Sequence, residues 1–366
     1  MLPLMISVVN HMRYLNKLKW SAIVAGHFLF MAWMQGCKPQ VKEAPSVFIE
    51  GEAMGTTYHI KWLGEGNGSH LKQGIDSLLL VFNGALSTYD TGSLISRFNR
   101  NELDFLQLQR STNPVVRDQL GFFNKVCYRS FDVFAASGGA FDPGAAPLFT
   151  AWGFAENKVN KIPSAAFVDS CRDFATYGKL NLVNGIPVKQ DKRLSVNYNA
   201  IAKGYGVDVV SDFLEDAGIS DYMVEIGGEV RCKGQNAMRQ AWTIGVNVPK
   251  EEASTEEAQA FLSLKNRSMA TSGNYRNFYI EKGVKYSHTI DPRNGFPARN
   301  ELLSATILAP DCMTADAWAT ACMVLGKDKC LDLIAKDSTL DAFLLFNKDG
   351  KISSAYTPGA EKLLKK

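Results

Sequence analysis

Asp316 and Thr320 interrupt an otherwise apolar stretch, "MTADAWATACMVLG" at residues 313 to 326, and stand four residues apart. On a helix that spacing puts a carboxylate and a hydroxyl on one face, one turn from the other. Such a pair suits a hard cation such as Mg²⁺, which takes oxygen ligands and leaves positions for water and phosphate oxygens. It equally suits local work, with Asp316 favouring the helix dipole and Thr320 bonding back to the Asp316 carbonyl. A second constellation lies in "NYNAIAKGYGVDVVSDFLEDAG", residues 197 to 218, where Lys203 stands near the helix start beside Gly204 and Gly206. A cation in the first turn opposes the dipole, and each glycine costs up to about 1 kcal/mol relative to alanine. An anionic phosphate held by lysine and closely approached backbone would explain the pattern. So would a solvated lysine with glycines admitting a packed neighbour. Third, "YSHTIDPRNG" at 286 to 295 puts His288, one of five histidines, at a strand end before an Asp-Pro/Asn-Gly turn. Read locally, His288 bonds to its neighbours and Asp291 caps the turn.

The elements that must position these residues are mixed. Period-two runs predict strands around 47–50, 56–63, 222–226, 229–233, 241–248, 278–290, 302–309, 341–347 and 351–356, with the Asp-Gly turn signal in "NKDGK". Helical periodicity appears around 69–86, 115–137, 201–217, 255–263, 314–325 and 328–336. In the third of these, Ile201, Tyr205, Val209 and Phe213 form an i, i+4 stripe. Hairpin-joined strands with helices grouped between them predict an α+β fold with mostly antiparallel sheets and helices packed on them, and argue against a doubly wound parallel sheet.

Composition bounds the function. With 46% hydrophobic and 21% charged residues over 366 positions, the chain can bury a sizeable core. A formal charge of +3 without a clustered basic face argues against nucleic acid as a partner. Arg13, Lys17 and Lys19 precede the apolar run "SAIVAGHFLFMAW", which ends at "MQGC". That is a secretory layout, too short for an ordinary spanning helix, and Cys37 follows small Gly36 as in a bacterial lipoprotein signal. Met34 and Gln35 depart from the usual Leu and small residue. An uncleaved anchor or buried helix is the other reading, and Met12 is an alternative start. The expected division is a signal at 1–36, a polar tether at 37–46 and one catalytic domain at 47–366. The six remaining cysteines, at 127, 171, 232, 312, 322 and 330, form no CxxC framework; mostly buried thiols and no zinc site are expected.

Eight motifs occur in order: "MGTTY", "STYDTGSLISRFN", "GGAFDPGAAPL", "AIAKGYGVD", "EIGGEV", "ATSGNY", "SHTIDPRNG" and "TADAWATA". The set resembles the ApbE family of flavin transferases from about Met54 to Gly326. The resemblance implies a T-fold-like body that takes FAD, uses Mg²⁺, releases AMP, and joins FMN to a threonine or serine hydroxyl of an acceptor protein, expected to be a membrane redox subunit. It implies metal ligands at Asp316, Thr320 and the Ala200 carbonyl, as one ion or two. It implies flavin-dinucleotide contacts at Met54, Tyr89, Ala140, Phe141, Asp142, Asn197, Lys203 and Ile290. His288 becomes the base that deprotonates the acceptor hydroxyl, a task suited to imidazole, with Asp291 orienting it or shaping the phosphate pocket. Three positions depart from common patterns: Asn197 for aspartate, Ala319 for a second acid, Gly144 for threonine. A Mg²⁺-dependent FAD pyrophosphatase and a non-enzymatic FAD-binding lipoprotein are the competing readings. The implied location is the bacterial cell envelope, lipid-anchored at Cys37 and facing the periplasm or exterior.

Overall fold

Eight antiparallel strands lie side by side in the order in which the chain makes them: β1 (Ser46–Ala53), β2 (Thr56–Leu63), β3 (Tyr222–Ile226), β4 (Glu229–Lys233), β5 (Arg267–Gly273), β6 (Leu302–Ala309), β7 (Asp341–Lys348) and β8 (Lys351–Tyr356). The computed structural model describes residues 43–154, 162–249, 258–274, 278–281, 284–287 and 289–365. Alternation along each strand sends side chains to two differently covered faces. One face carries the helices α1 (Ser69–Leu86), α2 (Pro114–Ala136), α3 (Asn199–Asp216) and α4 (Cys312–Leu325), and shares two apolar cores with them. On the other face Val230, Cys232, Met269, Leu308 and Leu345 pack with Trp242 and Leu262 of a separate hairpin, Trp242–Asn247 with Ala258–Leu264. Among the described residues no helix is long and apolar enough to cross a membrane.

The α+β architecture is the expected one, and most element boundaries agree within a few residues. Residues 255–263, read as helix, correct to the strand Ala258–Leu264 over their described part. Glu, Ala and Leu favour helix locally, but Leu262 and Leu264 are buried while Phe261 is exposed, and tertiary pairing sets that period of two. The run 278–290, read as one strand, is a hairpin of Phe278–Glu281 with Val284–Ser287, followed by Ile290–Asp291 paired to Phe296–Pro297. Strand β5, "RSMATSG", was not foreseen although it lies inside the main sheet. Its small residues give little β-propensity but let α4 pack closely over it.

The cysteines divide. Cys127, Cys171, Cys232 and Cys312 are buried thiols as expected, whereas Cys322 and Cys330 form a disulfide from the last turn of α4 to the helix α5 (Lys327–Ile334). A Cα–Cα separation of 4.9 Å across the Gly326 turn makes this bridge geometrically accessible. The signal at 1–36, Cys37 and all but the last residues of the tether lie outside the described residues.

Candidate active site

Helices α3 and α4 cross because Gly204 has no side chain. A Cβ there would come within 2.3 Å of the Cys312 carbonyl oxygen and 2.8 Å of Asp316 Cβ. Of the two meanings open to the α3 glycines, close packing of a neighbour is the one the structure shows for Gly204. At that crossing the Gly204 N–H donates to Asp316 Oδ2 at 3.0 Å, with Asp316 buried. The helices are also tied in the other sense, since Asp208 of α3 accepts the N–H groups of Cys312 and Met313 at 2.9 and 2.8 Å. Asp311 caps α4 by accepting from the Thr314 N–H at 2.8 Å. The first three N–H groups of α4 thus end on carboxylates, which also favours the helix dipole.

Lys203, the fifth residue of α3, lies beyond the first turn and is already partnered. Its Nζ lies 2.5 Å from Glu229 Oε2 in β4. Burial opposes its charge, but Glu229 and then Asp316 outweigh it and raise the Lys203 pKa. Burial, followed by the Asp316 charge, pushes the Glu229 carboxyl up against the pull of Lys203. Burial likewise raises Asp316, opposed by Lys203 and the Gly204 N–H. Two buried carboxyl groups therefore share one ammonium, and the pair favours one further positive charge, whether a proton or a cation. Thr320, one turn after Asp316, has its hydroxyl 3.3 Å from Ser272 Oγ of β5. Among the described residues no three His, Cys, Asp or Glu side chains gather as a metal cluster.

The β1–β2 turn closes over this group. Met54 holds φ 55° and Gly55 φ 74°, a left-handed pair of the kind that two-residue hairpins require and that a methionine adopts only under constraint. A Cβ on Gly206 would meet Met54 Sδ at 2.8 Å, so the second α3 glycine makes room for that side chain. The Gly227 N–H donates to the Thr57 carbonyl at 3.1 Å, and a Cβ on Gly227 would sit 3.2 Å from Lys203 Cδ. Met54, Gly206, Gly227, Lys203, Glu229, Gly204 and Asp316 are thus contiguous.

A second group adjoins the start of α3. The Asn197 N–H donates to the Pro143 carbonyl at 2.9 Å, and Asn197 Oδ1 accepts from the Asn199 N–H at 2.8 Å. This joins the loop of Ala140, Phe141 and Asp142 to the turn that precedes Ala200. The Asp142 carboxylate is committed to the protein, accepting from Gly144 N–H, Thr176 Oγ1–H and Tyr177 N–H, each at 2.8 Å. The buried hydroxyls of Tyr177 and Tyr198, 2.9 Å apart, make a further tie to the start of α3. Gly144 leaves no room for a side chain in this structure, since a Cβ would lie 2.4 Å from the Tyr177 nitrogen. Ala319 is wholly buried in the apolar core.

Other expected residues are placed less closely. Ile290 is buried with Leu148 and Trp152 in a separate small cluster. Tyr89 stands 72% exposed in the loop before Ser93. Asp291 is engaged by its own turn and by Arg293, whose Nε and Nη2 each donate to it at 2.8 Å. His288 lies outside the described residues. The sequence reading missed Glu229 and Asp208 as site residues. "EVRCK" does alternate charged with apolar residues, a signal that one face of β4 is charged.

This fold is that of the solved flavin transferases. The chain overlays "Flavin Transferase ApbE from Vibrio cholerae" with a TM-score of 0.74 at 32% identity, covering 88% of this chain and 100% of that one. It is 34% identical over 328 residues to the FAD:protein FMN transferase of Haemophilus influenzae, covering 86% of this chain and 92% of the relative. The Vibrio cholerae enzyme of the same name is 33% identical, covering 90% and 96%. The family model for ApbE matches residues 54–344, and the chain belongs to the ApbE family.

Proposed function

We propose that this protein is a Mg²⁺-dependent FAD:protein FMN transferase. The acceptor's threonine or serine oxygen attacks the phosphorus on the FMN side of the FAD pyrophosphate. That P–O bond forms as the P–O bond to the AMP side breaks, so AMP leaves with the bridging oxygen and the hydroxyl proton passes to a base. His288 is the proposed base, on the sequence motif alone. The observation that carries the reading is the buried Asp316–Glu229–Lys203 group at the α3–α4 crossing, inside the stretch matched by the family.

The residues present fit a hard cation. Asp316 supplies a buried carboxyl, Thr320 a hydroxyl one turn on, and Ala200 a backbone carbonyl at the start of α3; the raised Asp316 and Glu229 carboxyls hold a proton that a cation would displace. When bound, Mg²⁺ would neutralise charge on the phosphate oxygens. The chain's own residues supply the rest: the Met54 turn, the Ala140–Asp142 loop and Asn197 orient the dinucleotide, and Lys203 sets positive charge beside its phosphates. At the level of the cell, the proposal is a lipid anchor on Cys37 at the bacterial envelope, with a membrane redox subunit as acceptor.

The test is to incubate the protein with FAD, Mg²⁺ and an acceptor bearing a flavinylation threonine, then measure AMP and covalent flavin fluorescence on the acceptor. Transfer yields both. AMP without labelled acceptor would identify a pyrophosphatase, and neither product would identify a flavin-binding lipoprotein.

A further inference from the structure

Lys203 lies within electrostatic reach of two buried carboxylates and pairs with one. Its stem passes the side-chain-free edge of Gly227 and its Nζ ends on Glu229, in an ion pair not aligned as a hydrogen bond. Asp316 instead receives the Gly204 N–H and has no ion pair to Lys203, although its charge acts on both Lys203 and Glu229. An ammonium between two carboxylates settles on the one with the better approach. If it settled on Asp316 it would occupy lone pairs that a divalent cation needs.

Glu229 is built to win that competition. It opens β4 directly after the Gly227–Gly228 turn, and its strand neighbours on the same face are fixed to α3 by charge. Arg231 Nη1 lies 3.0 Å from Asp208 and Lys233 Nζ 2.5 Å from Glu215. Lys203–Glu229 is therefore the first of three charge contacts that one face of β4 makes with α3. These contacts fix where Glu229 stands, and Glu229 fixes Lys203.

We infer that Glu229 is a positioning residue that holds Lys203 away from Asp316, keeping the Asp316 carboxylate open to a divalent cation. The inference rests on the metal reading of Asp316 given above. In Glu229→Gln the amide carries no charge, and Asp316 becomes the remaining carboxylate for Lys203. Replacing Lys203 as well removes the competitor.

Mg²⁺ binding to the full chain, followed by calorimetric titration and by the Mg²⁺-induced shift in thermal midpoint, tests this without turnover. Glu229→Gln should weaken Mg²⁺ binding at least roughly 10-fold, and Lys203→Met/Glu229→Gln should return it to within about 3-fold of wild type. Lys203→Met alone should bind Mg²⁺ at least as tightly as wild type, which provides a test even if Glu229→Gln does not fold. Unchanged binding in Glu229→Gln, an equal loss in the double variant, or a tenfold loss in Lys203→Met would each overturn the inference while leaving the metal reading intact. A wild-type protein with no response to Mg²⁺ would overturn the metal reading, and this inference with it.

Discussion

At Asp316 a single carboxylate has two employers, the Gly204 N–H and the proposed cation. Asp316→Ala removes the only carboxylate assigned to the metal, and it also removes a buried charge whose retention is costly. Folding should therefore survive while Mg²⁺-dependent AMP release is lost; wild-type release from a folded variant would eliminate this site. Gly204→Ala tests the same geometry from the other helix. The added methyl has a backbone carbonyl 2.3 Å away, and a carbonyl in a packed helix end cannot rotate aside as a side chain would. We expect a loss of roughly 1–3 kcal/mol in denaturant unfolding, with Mg²⁺ affinity reduced because Asp316 must shift. An alanine variant of wild-type stability and Mg²⁺ affinity would show that the crossing is looser than described. Asp316 and Thr320 were legible as a pair because helical spacing is written directly in the sequence. Glu229 was not, because its role depends on a lysine 26 positions away that only the sheet brings to it.

The elements show the same division between local and non-local information. Helices α1, α3 and α4 were readable from their periodicity, and the β7–β8 hairpin from its Asp-Gly turn. Ala258–Leu264 was misread because its helix-favouring composition is overridden by a partner strand and a core that no short window contains. The mutual anchoring of α3 and α4 through Asp208 is likewise non-local. Asp208→Ala would strand the N–H groups of Cys312 and Met313 and take from Arg231 one of its three carboxylate partners, the others being Asp212 and Glu215, for a cost of roughly 3 kcal/mol. The expected readout is a clear drop in thermal midpoint, and an unchanged midpoint would refute the anchoring role. The residue also imposes a pH dependence. Burial, and then Asp311, raise the Asp208 carboxyl to about 6 from 3.8, so the folded state keeps this proton longer than the unfolded chain. Its contribution to stability therefore falls as pH rises from about 4 to about 6, and the alanine variant should lack that part of the slope.

For the whole molecule, the disulfide and the proposed address support each other. A bridge from Cys322 to Cys330 needs an oxidising compartment to persist, whereas the other four described cysteines are buried thiols that do not depend on one. Closing so short a loop stabilises by about 2–3 kcal/mol in the chain-entropy account, so reduction should lower the thermal midpoint modestly, and Cys322→Ser should reproduce the loss without reductant. Protein isolated from its natural compartment with both thiols free would count against export. The apolar run before Cys37 is what would deliver the chain there, and a single lipidated cysteine would then hold a catalytic body, whose described helices are none of them long and apolar enough to span a bilayer, against the surface where the proposed membrane redox subunit would reside. Anchoring of this kind confines the enzyme to the plane of its acceptor and raises the encounter rate without any new contact. Cys37→Ser should accordingly release the protein into the soluble fraction, or leave it held only by an uncleaved signal. In purified form it should still flavinylate a soluble acceptor domain at the wild-type rate, because the anchor lies outside the catalytic body. Fractionation of envelope preparations and mass measurement of the mature N-terminus decide the matter. A native protein found soluble, unmodified and beginning upstream of Cys37 would rule the anchor out and leave the catalytic reading standing on Asp316, Glu229 and Lys203 alone.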